Sequence, residues 1–512
     1  MESSLFFALV LVLFCGFISI VVSYKLKQPF VIGYVVVGFL FGIISPKITN
    51  IPKESLVFLS ELSLAVLLFF VGLNFSLNEV KYFSKNIIIG VIIQITSLIA
   101  IFLLVFANFF SFSLNVALAL SIIIAFSSIV LITSRGDVES MYSTLAKSWL
   151  LVMGFSAVPL MLLLPLLTNK SIDFFAILIA LLNSVAIIYL VLLILNKIFP
   201  YLLKRLALYS DKEAFLIFSF LFTVLLTLLF NFMGLPIAMG PFFAGVIIAS
   251  CNYSPNIVKE IKPIGEIFTS IFFVSISLLV ATNFFLLNIF TVVFLVLLIF
   301  LIKSLVLFIL LLKLNNHSKI SFNVSLLLFQ VGEFGFLLAT LGLNKNVISN
   351  EHYTLITTAS LFSVVLNLII YKWARTFYKL IKIFLNKRFY FLYKIIFVVS
   401  DSDIKLPMPR KLKIIDHVVL VGYGKAGRYI SKILESSKIP YVIVDINYKI
   451  LKELRKKGIL SVYGDAENTN ILKLAGIKNA RGVVITNSNI VSNEIIIKKL
   501  RKINPSLKVV IQ

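Results

Sequence analysis

The chain has 512 residues, of which 60% are hydrophobic and 13% charged, about half the charged share of a soluble domain. Its apolar residues come in long blocks rather than amphipathic stripes. That excludes a soluble fold, because no soluble core can absorb so many helices that are apolar all round. The net charge of +25 does not point to nucleic acid, since that needs a basic patch on one face of a folded domain. Here the positive charge is spread over loops and a stretch holding Arg375, Lys379, Lys382, Lys387, Arg388 and Lys394, for which anionic lipid headgroups are the expected counterpart.

A bilayer core about 30 Å thick takes about 20 residues of apolar helix. Blocks of that kind predict thirteen spans, near 5–23, 30–45, 56–75, 86–107, 114–133, 148–168, 174–196, 214–231, 236–250, 266–282, 285–312, 321–342 and 353–372. The first lacks the basic flank and cleavage site of a secretory signal, so it counts as a span. Lys and Arg concentrate on the cytoplasmic side of a membrane. The loops after spans 1, 3, 5, 7, 9 and 11 hold fourteen of them, and the opposite loops only Lys47, Lys53, Lys170 and Lys345. This bias puts the N-terminus outside and everything after Arg375 inside. Cys15 and Cys251 lie in or at the edge of spans, and His317, His352 and His417 are scattered, so neither a disulfide nor a metal site is expected.

Charged side chains inside spans are costly and mark function by default. Lys303 lies mid-span in LLIFLIKSLVLFILL and Glu333 lies in LFQVGEFGF. A Lys303–Glu333 pair facing the bundle interior satisfies both charges, and Gln330, three residues from Glu333, shares its helix face. The bland alternative is that the pair only ties helices together. Helices interrupted at Ser127-Ser128, Gly240-Pro241 and Ser275-Ser277 would expose backbone carbonyls to a cation; small and hydroxyl residues are otherwise packing contacts.

The chain divides into a membrane part at 1–373, a basic linker at 374–412 marked by Asp401, Asp403, Pro407 and Pro409, and a domain at 413–512. From His417 short apolar strands alternate with amphipathic helices, the rhythm of a parallel, doubly wound sheet. Its first turn reads Gly422-Tyr-Gly424-Lys-Ala-Gly427, after a strand and opening a helix, and Asp445 ends the next strand. That context is what a dinucleotide fingerprint requires. The glycines admit a pyrophosphate, the helix N-terminus supplies N–H groups, and Asp445 can bond ribose hydroxyls. The alternative is a structural domain with an empty site. Asp465, in Gly464-Asp465-Ala466, is a second nucleotide contact. No substrate domain accompanies this fold, so the nucleotide regulates rather than reacts and no enzyme is expected.

The strand–GYGKAG–helix, IVD and YGDA runs resemble the N-terminal lobe of a regulator-of-potassium-conductance (TrkA-type) domain. The runs QPFVIGYVVVGFLFG (28–42), LSELSLAVLLFFVGL (59–73), GPFFAGVIIA (240–249), SIFFVSIS (270–277) and LLLFQVGEFGFLL (326–338) resemble the Kef-like branch of the monovalent cation:proton antiporters. The resemblance implies a polytopic α-helical inverted-repeat fold plus an α/β Rossmann-like cytosolic domain. It also implies exchange of K+ or Na+ for H+, a homodimer in a bacterial inner membrane among its lipids, and NAD(H) or an AMP-type adenine nucleotide as regulator. The ion pathway is then expected at Glu333, Lys303, Gln330, Ser127, Ser128 and Ser275.

Three departures from that family matter. Its glutamine–aspartate pair reads Met153-Gly154 here, its serine–serine–threonine run reads Ser127-Ser128-Ile129, and the glutamate after its third span is Asn74. A glycine holds neither proton nor cation, which leaves Glu333 as the clearest intramembrane carboxylate able to exchange. Three readings follow: a nucleotide-gated antiporter, a divergent relative that lost proton coupling, and a nucleotide-sensing subunit whose spans only anchor it.

Overall fold

The computed structural model describes residues 2–26, 28–48, 52–75, 85–128, 141–168, 174–194, 212–250, 254–280, 282–314, 316–393, 396, 415–446, 448–486 and 490–511. Cys251, Ile129, Lys81, Arg135 and the linker markers Asp401, Asp403, Pro407 and Pro409 lie outside them. The chain forms two compact units: Met1–Ser134, Ala146–Leu307 and Ser325–Trp373 make the first, and Arg135–Leu145, Phe308–Val324 and Ala374–Gln512 the second.

The first unit is helical. Backbone polar groups in a lipid environment must be satisfied within the segment, and long apolar runs therefore close into helices. Its described elements begin with α1 (Glu2–Leu26), α2 (Phe30–Ile48), α3 (Lys53–Leu73), α4 (Lys85–Phe109), α5 (Leu114–Ala125) and α6 (Met141–Leu163). They continue with α7 (Phe174–Leu193), α8 (Lys212–Phe232), α9 (Met239–Ala249), α10 (Ser254–Leu279), α11 (Thr282–Leu287) and α12 (Ile289–Lys313). The last are α14 (Glu333–Asn344) and α15 (Asn350–Lys372), while α13 (Ser318–Leu327) begins in the second unit and enters the first at Ser325. Six are long and apolar enough to cross a membrane, and six shorter helices are also apolar. Helix α3 packs against α9 and α10, α2 against α10, α4 against α5, and α14 against α5 and α15. Ser349 caps α15 by accepting the His352 N–H.

Two spans read as continuous or broken in the sequence behave differently. The break at Ser127-Ser128 is present: α5 stops at Ala125 and Phe126 is extended, with ψ at 144°. The second break falls at 328–332, inside a run expected to be one helix, so Gln330 sits in a non-helical segment and not on a helix face beside Glu333. The other two expected breaks are absent. Pro241 lies in the first turn of α9, where a missing N–H costs nothing. Ser275 and Ser277 lie within continuous α10, and the Ser277 hydroxyl donates to the Phe273 carbonyl at 2.5 Å, a back-bond that leaves the helix intact.

The second unit contains an amphipathic helix, α16 (Ala374–Arg388), and a five-stranded parallel sheet in the order β3-β2-β1-β4-β5. The strands are β1 (His417–Val421), β2 (Tyr441–Asp445), β3 (Ser461–Tyr463), β4 (Ala480–Ile485) and β5 (Lys508–Ile511). Between them run α17 (Lys425–Ser436), α18 (Tyr448–Lys456), α19 (Thr469–Leu474) and α20 (Ile490–Ile503). Successive strand residues face opposite sides. Val419, Val421, Val442 and Val444 accordingly pack with Leu472, Ile496 and Leu500 on one face, and Leu420 and Ile443 with Leu451 and Leu454 on the other. The chain order puts β1 at the centre, with β2 and β4 on either side. The carboxyl end of β1 is therefore the topological switch point where such sheets bind ligands.

Candidate functional site

Two sites can be built from these elements, one in each unit.

In the first unit the breaks at 126–128 and 328–332 meet. Gly332 donates its N–H to the Phe126 carbonyl at 3.2 Å, and the Ser127 hydroxyl donates to Leu328 O at 2.5 Å. Gln330 Nε2 donates to Ser128 O at 3.3 Å, and the Ser128 hydroxyl donates to Glu333 Oε1 at 2.7 Å. The approach is so close at Gly332 that a Cβ there would collide with the Ser127 carbonyl. Only glycine lets these two backbones cross.

Lys303, fully buried on α12, reaches this crossing. Its ammonium donates to Ile124 O at 2.7 Å, Phe126 O at 2.8 Å and Gln330 O at 3.2 Å. An ammonium has three protons, and each finds one carbonyl. The arrangement follows from the breaks: a helix that stops at Ala125 leaves the carbonyls of its last turn without intrahelical partners and with partial negative charge. Glu333 stands at the opposite kind of end, the first turn of α14, where unpaired N–H groups favour an anion.

The expected Lys303–Glu333 pair is therefore not formed. Backbone carbonyls take the ammonium and the Ser128 hydroxyl donates to the carboxylate, because the helix ends, not each other, answer the two charges. Of the sequence candidates, Ser127, Ser128, Gln330, Glu333 and Lys303 come together. Ser275 does not join them; its buried hydroxyl has no hydrogen-bond partner among the described residues.

Two residues of α15 were missed. Asn367 donates to Leu326 O at 2.7 Å and to Gln330 Oε1, and Ser363 Oγ accepts the Val331 N–H at 3.1 Å. Together they hold the 328–332 segment. The sequence signal for them is two polar residues four apart, on one face of an apolar span.

In the second unit the Gly422–Gly427 turn follows β1. Gly422 adopts φ +93°, the left-handed region that L side chains avoid, and donates its N–H to Val444 O at 2.9 Å. A Cβ on Gly427 would strike the Gly422 carbonyl, whereas one on Gly424 would meet nothing within 4 Å. So Gly427 closes the loop on itself and Gly424, the residue capping α17, leaves the approach to the helix N-terminus open. The Asp445 carboxylate accepts the Tyr423 N–H at 2.7 Å, at the edge of the same turn. The Thr486 hydroxyl donates to Gly422 O at 3.0 Å from the β4 side.

Asp465 is engaged differently from Asp445. The Lys319 ammonium lies 2.6 Å from its Oδ2 and 3.1 Å from Glu467 Oε1. Arg375 pairs with Glu467 Oε2 at 2.7 Å, and the Glu467 N–H donates to Asp465 Oδ1 at 2.9 Å. Burial alone would push the Asp465 carboxyl up, but the Lys319 charge and these hydrogen bonds hold it below the ordinary aspartate value. A cavity of about 500 Å³ opens beside this cluster, lined among others by His317, Tyr378, Lys382, Asn468 and Lys499.

The comparisons agree with both halves. The family model described as sodium/hydrogen exchanger, transmembrane, matches residues 9–374, and that described as the TrkA-N domain matches 418–512. The cation/proton antiporter YbaL of Escherichia coli (strain K12) is 25% identical, over 97% of this chain and 89% of that protein. The K(+) efflux antiporter KefB of Alkalimonas amylolytica is 24% identical, over 94% of this chain and 72% of that protein. Among solved structures, the sodium proton antiporter MjNhaP1 of Methanocaldococcus jannaschii at pH 8 superposes with a TM-score of 0.56 at 16% identity, over 73% of this chain and 96% of that one, a likeness of fold. A unit of apolar helices and a Rossmann-like nucleotide-binding domain thus agree with the matches: the chain belongs to the sodium/hydrogen exchanger family of cation/proton antiporters and carries a TrkA-N domain.

Proposed function

We propose that the protein exchanges a monovalent cation, K+ or Na+, for a proton at the Lys303 cage, under control of a nucleotide bound at the Gly422–Gly427 turn. The observation that carries this reading is the bonding of Lys303 to Ile124 O, Phe126 O and Gln330 O. Carbonyl oxygens are the ligands hard alkali cations prefer, and broken helices supply them in inverted-repeat transporters. The ammonium is a resident cation in that cage. When it releases a proton to the open side, the neutral amine leaves one positive charge missing, and a cation can enter to restore it. Glu333 supplies negative charge nearby and need not change its protonation. One charge replaces another, so exchange is one proton for one cation and moves no net charge.

This assignment makes Lys303 the proton carrier, where the sequence had favoured Glu333. Proteoliposomes with a pH-sensitive dye test it. Lys303→Gln should lose the saturable cation-dependent pH change, and Glu333→Gln should retain it with altered cation affinity. The reverse pattern would hand the role to Glu333.

Regulation rests on Gly424, open for a phosphate at the N-terminus of α17, and on Asp445, whose carboxylate suits a ribose lacking a 2′-phosphate. NAD(H) and AMP-type nucleotides both meet that chemistry. Asp465 sits with Lys319 rather than over the turn, so it is the weaker contact. Nucleotide acts by binding one arrangement of the chain more tightly than another. Flux that ignores a nucleotide bound at the turn would refute this half. The setting is a dimer in a bacterial inner membrane, with the TrkA-N domain on the cytoplasmic side where the loop lysines place it.

A second reading, a relative that has lost proton coupling, is favoured by one observation: the position of the missing carboxylate, Gly154, is filled by aromatic rings. Cation leak without a pH change would establish it.

A further inference from the structure

Gly154 lies in α6 with two aromatic rings against its Cα. A Cβ built there would stand 2.8 Å from Phe242 Cζ, 3.3 Å from Phe242 Cε1 and 3.4 Å from Phe334 Cζ. Phe242, in the first turn of α9, is completely buried. Its ring meets Phe334 edge-on at 5.0 Å between centroids and Phe243 at 5.1 Å, with Phe75 at 6.3 Å. Such edge-to-face pairs lock ring positions. Phe334 in turn lies 6.1 Å from the Phe126 ring, and the Phe126 carbonyl is one of the three that hold Lys303.

A row of rings therefore runs from Gly154 to the cage. Next to it, Met153 is also turned to the crossing, its sulfur accepting the Ser127 N–H at 3.3 Å. No polar side chain is offered at positions 153 and 154. The volume that a carboxylate at 154 needs belongs to the Phe242 ring. A charge pushed into that volume would sit among aromatic carbons without partners, which is strongly unfavourable.

We propose that Phe242 is a specificity-determining residue of the exchange site: its ring leaves no room for an ionisable group at position 154 and so confines proton exchange to Lys303. The proposal rests on the reading of Lys303 given above. With one ammonium as the only exchanging group, one proton leaves as one cation enters, and flux is independent of membrane potential. With a carboxylic acid added, two protons leave for each cation, one from the acid and one from the ammonium. A net charge then crosses, and flux responds to potential.

The test measures exchange in proteoliposomes at clamped potentials, together with thermal unfolding of the purified full chain. Gly154→Asp alone is expected to lower the melting temperature and to lose exchange, because the ring blocks the carboxylate. Gly154→Asp combined with Phe242→Ala is expected to recover exchange that now depends on potential. A stable, active Gly154→Asp single variant would overturn the proposal, as would a double variant whose flux ignores potential. Should the double variant not fold, melting of Gly154→Ala decides the matter. The proposal predicts a fall in melting temperature in the native background and none with Phe242→Leu; equal shifts in the two backgrounds overturn it. Unchanged exchange in Lys303→Gln would refute the reading of Lys303 instead, and it would leave this melting comparison standing.

Discussion

The two candidate sites differ in how far apart their parts lie in the chain. The nucleotide turn is six consecutive residues, Gly422 to Gly427, with Asp445 one strand away. The ion cage is three carbonyl oxygens, two of them 179 and 177 residues from the lysine they hold. A turn of the first kind depends on side chains, or on their absence, at fixed spacing. A cage of the second kind depends on where helices stop, and any residue type carries a carbonyl. Tolerance to substitution follows from that contrast: the turn is vulnerable at its glycines, and the cage at the few side chains that hold the breaks open.

Lys303 is where the contrast is sharpest. Replacing it with Gln should abolish cation-dependent proton movement while leaving nucleotide binding intact, as dye flux and calorimetry on the same preparation would report. Asn367→Leu should act next most strongly. It removes the side chain that ties Leu326 O and Gln330 Oε1, leaving buried polar groups unmet at about 1–3 kcal/mol. Melting temperature and exchange rate should fall together, with Asn367→Asp no substitute because it adds a buried charge. In the turn, Gly427→Ala drives a methyl into the Gly422 carbonyl and should weaken nucleotide binding by about tenfold or more, a penalty of about 1.4 kcal/mol, without touching the cage.

The ion-pair cluster at Asp465 gives the smallest effect. Its pairs are partly exposed, so Asp465→Asn should cost about 0.2–1 kcal/mol and be masked by salt. The pH dependence has a definite sign. The folded carboxyl is held below its ordinary value, so the contribution is complete at pH values above the ordinary carboxylate range. It fades only as pH falls through the lower, folded value. Melting curves at neutral pH and at pH about 4 should then show the Asn variant differing from the native chain at both, and converging with it only in stronger acid.

The same contrast explains what could be read from the sequence. The Rossmann-like domain was legible strand by strand, because period-two apolar runs and a glycine turn are local signals. The membrane helices were legible as apolar blocks, and Lys303 and Glu333 as charges that have no business in lipid. The break at 328–332 was not legible: LLLFQVGEFGFLL is apolar enough to pass for one helix, and its open form is met by distant groups, the other break, Lys303, Ser363 and Asn367. For the same reason the sequence suggests a helix face for Gln330 and a carboxylate partner for Lys303, where the structure has an open segment and carbonyls. Gly154 was recognised as a departure, but what fills its space comes from Phe242 and Phe334, far away in the chain. Ser275 looked like part of the pathway because a hydroxyl in a span is ambiguous between a ligand and a packing contact.

The central claim is that a lysine ammonium, and no carboxylate, trades places with the cation. Simultaneous measurement of proton and cation flux in proteoliposomes, with the potential clamped at zero and then at an imposed value, addresses it most directly. The account predicts one proton per cation, a ratio and rate unmoved by the potential, and loss of both fluxes in Lys303→Gln. Exchange that persists in Lys303→Gln, or that moves net charge in the native chain, would contradict it.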